Sequence, residues 1–101
     1  MDGTTITRHD SGAHGEYRAA VSGSDAIGRL TYQRRKSEDG RDTLIADHTL
    51  VPSEIGGQGV AAKLVEALIA DARVSGDKID PQCSYIEAAF RRHPEWAELR
   101  A

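Results

Sequence analysis

The chain has 101 residues, a net charge of -3, 39% hydrophobic and 29% charged residues. That length sets one domain, residues 1–101, as the expectation, and the composition excludes global disorder. The acidic balance leaves no basic footprint for nucleic acid and no polybasic patch for a membrane surface, and no apolar run approaches the ~20 residues that span a bilayer.

Met1-Asp2-Gly3-Thr4-Thr5 has neither the basic n-region nor the apolar h-region of a secretory signal. Cys83 is the only cysteine, so no internal disulfide is possible and a reducing, cytoplasmic location is expected. Residues 4–51 read as strands and turns. Residues 16–21 alternate, with Tyr17, Ala19 and Val21 on one face. Ser22-Gly23-Ser24-Asp25 is a turn cluster. A second strand covers 26–34, rich in Ile27, Leu30, Thr31 and Tyr32. Residues 34–41 form a charged loop with the hairpin signal Asp39-Gly40, which puts Arg34-Arg35-Lys36 at a solvated tip. Residues 42–51 make the strongest strand. Its period of two sets Leu44, Ala46, His48 and Leu50 on one face and Ile45, Asp47, Thr49 and Val51 on the other. Pro52 ends it, having no N–H for a ladder.

The spacing of Val60, Ala61, Leu64, Val65, Leu68, Ile69 and Ala72 predicts an amphipathic helix over 57–75, stopped by Gly76. Residues 79–86 read as a further strand, with Ile79, Pro81, Cys83 and Tyr85 on one face. A short helix over 87–92 follows, and Pro94 opens a last helical turn carrying Trp96 and Leu99. This order predicts an α+β fold: an antiparallel-rich mixed sheet, one long helix packed on it, and short C-terminal helices.

Gly56-Gly57-Gln58-Gly59-Val60-Ala61 stands at the mouth of the long helix. Glycine lets a ligand approach the main chain, and the first N–H groups of a helix lack internal partners. With the helix dipole they favour a phosphate. Ala62-Lys63-Leu64 replaces the Gly-Lys-Ser/Thr of a P-loop. Residues 57–62 fit a glycine variant of the dinucleotide fingerprint, but that motif belongs to the first turn of a parallel βαβ fold, and an antiparallel meander precedes it here.

The stretch Ala46-Asp47-His48-Thr49-Leu50-Val51-Pro52, followed by Gly57-Gln58-Gly59-Val60-Ala61 and Leu64-Val65, resembles the acetyl-CoA motif of the GNAT N-acetyltransferase superfamily. With Pro81-Gln82-Cys83-Ser84-Tyr85 and His93-Pro94-Glu95-Trp96 in the same order, the chain is similar to the minimal, single-domain GNAT-like family of about a hundred residues. The resemblance covers residues 17–99. It departs from the superfamily at Gly56, where Arg or Gln usually opens the turn, and at Trp96, where the small family more often has Tyr.

The resemblance implies acetyl-CoA as cofactor and an amine acceptor, on a protein or a small molecule. It places Gly56, Gly57, Gln58, Gly59, Val60 and Ala61 at the pyrophosphate and backbone N–H groups of Leu50 or Val51 near the acetyl carbonyl. Arg91 and Arg92 follow the cysteine strand, close to the expected cofactor groove; Arg34-Arg35-Lys36 could also meet the 3′-phosphate. Cys83 has two readings: a thiol that accepts the acetyl group or protonates the leaving thiolate, or a small buried hydrophobe. His48 also has two, a base that deprotonates the amine or a hydrogen-bonded core histidine. Its strand face points it into a layer. His9 and His14 flank a turn and read as solvated, and no set of side chains has metal-ligand spacing. The expected activity is acetyl-CoA-dependent N-acetyl transfer; the alternative is a non-catalytic CoA-binding regulatory module.

Overall fold

The computed structural model describes residues 3–101; Met1 and Asp2, which open the N-terminal stretch read above for a signal, lie outside the described residues. Five strands, β1 (Thr4–Asp10), β2 (His14–Val21), β3 (Ile27–Arg35), β4 (Thr43–Leu50) and β5 (Lys78–Pro81), form one sheet in sequence order. Neighbours from β1 to β4 are antiparallel, and β5 joins β4 in parallel. The crossover between them contains a 3-10 turn, Ser53–Ile55, and the long helix α1, Val60–Ser75. Helix α2 (Ser84–Arg92) and a 3-10 segment (Pro94–Leu99) complete a mixed-sheet α+β arrangement. Among the described residues no helix is long and apolar enough to cross a membrane.

Alternation in the strands and helical spacing in α1 build one core between them. Tyr17, Ala19 and Val21 of β2, Leu30 and Tyr32 of β3, and Leu44 and Ala46 of β4 are buried, as are Val60, Leu64, Val65, Leu68, Ile69 and Ala72 of α1. Each large apolar side chain buried this way contributes roughly 1.5–3 kcal/mol. Gly76 stops α1 at φ 81°, its N–H bonded to Ala72 O at 2.8 Å. Trp96 and Leu99 close the end of the core, with Trp96 meeting Phe90 edge-on at 5.5 Å. The strand residues that point away from α1, such as Arg18, Thr31, Gln33 and His48, are exposed or half-exposed, so that face of the sheet is open.

Four expectations are corrected. The face assigned to Leu44, Ala46, His48 and Leu50 breaks in the middle. Tyr32 stands opposite Ala46 but Thr31 stands opposite His48, so Asp47 is an inserted bulge residue. A bulge adds one residue to one strand and shifts the phase of everything after it. Thr49 therefore joins the row of buried Leu30, while His48 and Leu50 turn to the open face. Helix α1 starts at Val60 rather than at residue 57, because Gly57 and Gly59 take φ of 73° and 74°, outside the right-handed helix. The strand expected over 79–86 ends at Pro81. Burial of Ile86, Ala89 and Phe90 at helical spacing makes residues 84–92 a helix instead.

Arg34 is the fourth correction: it lies in β3 with its side chain only 13% exposed. Its Nε donates to Gly12 O at 2.8 Å, Nη2 to Asp10 at 2.6 Å and Nη1 to Asp42 at 3.1 Å, with Asp77 at 3.7 Å. One guanidinium thus ties the β1–β2 hairpin, the start of β4 and the α1–β5 turn together. Its fixed fork suits several oxygens at once.

The Tyr32 hydroxyl, with Gly12 N–H and Arg34, holds the Asp10 carboxyl well below the usual carboxylate range against an opposing effect of burial. A folded pKa below the unfolded one adds stability that is fully present above the unfolded value of about 3.9 and is lost as pH falls from there through the folded value. Urea unfolding between neutral pH and pH 2 is expected to show this loss, and Asp10→Asn to flatten it. Arg34→Met takes the shared guanidinium from three carboxylates and is expected to cost roughly 2 kcal/mol or more at neutral pH, with no rescue in Arg34→Lys.

Candidate functional site

The parallel ladder between β4 and β5 runs from Thr43 opposite Lys78 to Ala46 opposite Pro81. Ala46 O then accepts two further N–H groups, Gln82 and Cys83, each at 3.0 Å. Past that point the chain leaves the sheet for α2, while β4 continues through Leu50. The end of β4 therefore parts from β5, and the sheet is split between Asp47–Leu50 and the first turn of α2; this cleft in the strand pairing is bridged where Cys83 meets Thr49.

Cys83 sits at the α2 side of this cleft, in the capping position, with φ -72° and ψ 132°. Its Sγ lies 3.5 Å from Thr49 Oγ1, the residue that the bulge turns toward the helix side. Burial alone pushes the Cys83 thiol up. The Thr49 hydroxyl and the Ile86 and Tyr85 N–H groups outweigh burial, and the net direction is down. A helix N-terminus stabilises thiolate in this way. Cys83 is thus neither on a strand nor fully buried; it is half-buried against the edge of the core.

The glycine turn lies at the same end of the sheet, where β4 feeds α1. No side chain caps the α1 N-terminus, and its first turn holds no acidic residue. At Gly57 and Gly59 an added Cβ would meet nothing within 4 Å, so the main chain there faces open space. Gly56 differs: its backbone is extended and its N–H is bonded to Ser53 O at 3.1 Å. Gln58 is exposed, and Val60 and Ala61 open the helix. Close packing sets the height of this turn over the sheet, since a Cβ at Gly28 would lie 3.0 Å from Val60 Cγ1. Uncapped N–H groups, a positive dipole end and no carboxylate together form a surface suited to a phosphate. These observations fit the pyrophosphate of a coenzyme A cofactor.

His48 lies on the other side of the sheet. It is exposed, and its Nδ1 is 3.0 Å from Asp47 O. A carbonyl oxygen only accepts, so that contact puts a proton on Nδ1 and, in the neutral ring, leaves the lone pair on Nε2. The expectation that His48 points into a layer is corrected by the bulge, and His48 and Cys83 stand on opposite faces. Leu50 is exposed at the end of β4, and Val51 packs against the core edge. Arg91 and Arg92 occupy the last turn of α2, about 12 Å of helix from Cys83, and Arg91 is bonded to Glu87 at 3.3 Å. Thr49 and Asp47 were given no role by the sequence reading. Both depend on a bulge that no residue pattern announces.

A concavity of about 700 Å³ lies on the open face of the sheet. Among the described residues no group of three or more His, Cys, Asp or Glu could hold a metal ion.

Residues 16–99 match the family described as GCN5-related N-acetyl-transferase. No curated protein matches the chain. The match spans β2 through the last 3-10 segment and includes the glycine turn, the cleft beyond Ala46 and Cys83. Acyl transfer is the general chemistry that such a domain supports, and acetyl-CoA is the cofactor that such domains generally use. The chain belongs to the GCN5-related N-acetyltransferase family.

Proposed function

We propose that this protein transfers an acetyl group from acetyl-CoA to an amine. One observation carries the reading. An uncapped, carboxylate-free helix N-terminus with open glycine backbone lies at the same end of the sheet as the cleft beyond Ala46, and the Cys83 thiol lines that cleft. Bound acetyl-CoA would supply an activated thioester. Backbone N–H groups of Gly57, Gln58, Gly59, Val60 and Ala61 would hold its pyrophosphate, and those of Leu50 or Val51 would lie toward its acetyl carbonyl.

Transfer to an amine needs a proton removed from nitrogen and one delivered to the departing sulfur. His48 Nε2, free on the open face, takes the first. The Cys83 thiol, on the helix side, gives the second and recovers its proton from solvent. Opposite faces suit these roles, because cofactor and acceptor then approach the cleft from opposite sides. A non-catalytic CoA-binding module is the second reading, favoured by Gly56, which offers no side chain and has its N–H already bonded.

Ala62, exposed in the first turn of α1, separates affinity from stability. Ala62→Glu is expected to hold or raise Tm, because an acidic side chain suits a helix N-terminus. It is also expected to weaken acetyl-CoA at least tenfold by calorimetry, about 1.4 kcal/mol. Unchanged affinity would move the pyrophosphate elsewhere. Labelled acetyl transfer to an amine panel is expected to fall in His48→Ala and in Cys83→Ala with the fold intact; unchanged turnover in both removes them from the mechanism. No turnover in the wild type, with acetyl-CoA still bound, selects the binding module. Thr49→Val removes a hydrogen bond from Cys83 and is expected to raise the pH at which iodoacetamide alkylates the thiol.

A further inference from the structure

The open face of the sheet carries an ionic imbalance at one residue. Two acidic residues of the concavity's lining turn their carboxylates to that face: Glu16 and Asp47. Glu16 is paired with Arg18 and with Arg29 at 2.9 Å, while Asp10, also in the lining, turns its carboxylate to Tyr32, Arg34 and Arg8 on the helix side. Asp47 receives only neutral donors, Thr31 Oγ1 at 2.7 Å and Gln33 Nε2 at 3.5 Å. Among the described residues no cation reaches it. The bulge makes this arrangement: it inserts Asp47 beside Thr31 and half-buries the carboxylate in the floor of a concavity of about 700 Å³.

A half-buried carboxylate held by two neutral donors has its geometry fixed and its charge unmatched. Opposite charge at hydrogen-bonding distance is the strongest partner it can gain, and partial burial screens that attraction less than open solvent does. Thr31 and Gln33 occupy one bond to each Asp47 oxygen, which leaves one lone pair on each; a planar guanidinium fork must reach both in one plane. A compact ammonium with rotatable donors can use either of those lone pairs, from a wider range of directions. His48, the next residue, leaves Nε2 free on this same face.

We propose that the open-face concavity is a binding site for a primary alkylammonium group, free or on a lysine side chain, and that Asp47 is the residue that anchors it. The site deepens the transferase reading, on which it rests only for the fate of the bound amine. Asp47 sits on the acceptor side of the sheet, next to the residue proposed to take the proton, and the cofactor turn is at the other side. Selection is then by charge and reach rather than by shape. A neutral alcohol of the same length gains nothing from Asp47.

Amide shifts of labelled protein, followed by NMR, test the site without requiring turnover. Titration with n-butylammonium and with Nα-acetyl-lysine methylamide is expected to move the signals of Thr31, Gln33 and Asp47, and n-butanol is not. Whichever amine binds more tightly identifies the source. Asp47→Asn keeps the volume and the acceptor oxygen for Thr31, so a folded spectrum is expected with the ammonium shifts lost; Asp47→Glu is expected to keep part of them. Where turnover is measurable, Asp47→Asn is expected to raise the amine KM about tenfold with kcat within about twofold. No shift in the wild type, or equal shifts in Asp47→Asn, overturns the proposal. Acetyl-CoA shifts at the glycine turn, recorded on the same sample, report on the transferase reading separately.

Discussion

The Ala46 carbonyl is the point on which the site depends. It ends the parallel ladder, accepts both Gln82 N–H and Cys83 N–H, and so turns the chain out of the sheet within two residues. Pro81 helps, because it brings no N–H of its own to extend the pairing. A backbone acceptor that holds two donors fixes where β5 stops, where α2 starts and where the only cysteine stands. Without that turn, β5 would run alongside β4 to its end. The sheet would have no cleft, and the Cys83 thiol would lie in a ladder rather than at a helix N-terminus.

One residue away, the Asp47 bulge divides the cleft between two faces. Before it, β4 sends Leu44 and Ala46 into the core; after it, Thr49 takes the inward position and His48 faces out. The inward side carries a thiol lowered by a hydroxyl and a helix terminus, close to backbone that suits a phosphate. The outward side carries an imidazole with a free nitrogen and a carboxylate without a cation. The proposed cofactor and acceptor sides thus fall on opposite faces of one sheet. The Arg34 network works at the far end, where it holds the hairpin, β4 and the α1–β5 turn in register.

Much of this was legible in the residues. Tyr17, Ala19 and Val21 alternate, and all are buried; Val60, Leu64, Leu68 and Ala72 keep helical spacing, and all face the sheet. The glycines marked the open turn ahead of α1 because steric freedom at Gly57 and Gly59 is a property of those residues themselves. What escaped depended on partners distant in sequence. Nothing between residues 42 and 51 marks the bulge, since it exists only relative to Thr31 and Tyr32. Residues 79–85 alternate as a strand would, and only Ile86, Ala89 and Phe90 together reveal the helix. Arg34 looked like a loop charge because three of its acceptors, Gly12, Asp10 and Asp77, lie far from it along the chain.

The division of the cleft between two faces is the central claim, and amide hydrogen exchange with and without saturating acetyl-CoA tests it most directly. The account predicts slowed exchange at Gly57 through Ala61 and at the end of β4, from Thr49 to Val51, with Thr31 and Gln33 on the open face unchanged. Protection on the open face, or none at the glycine turn while the cofactor is bound, would contradict it.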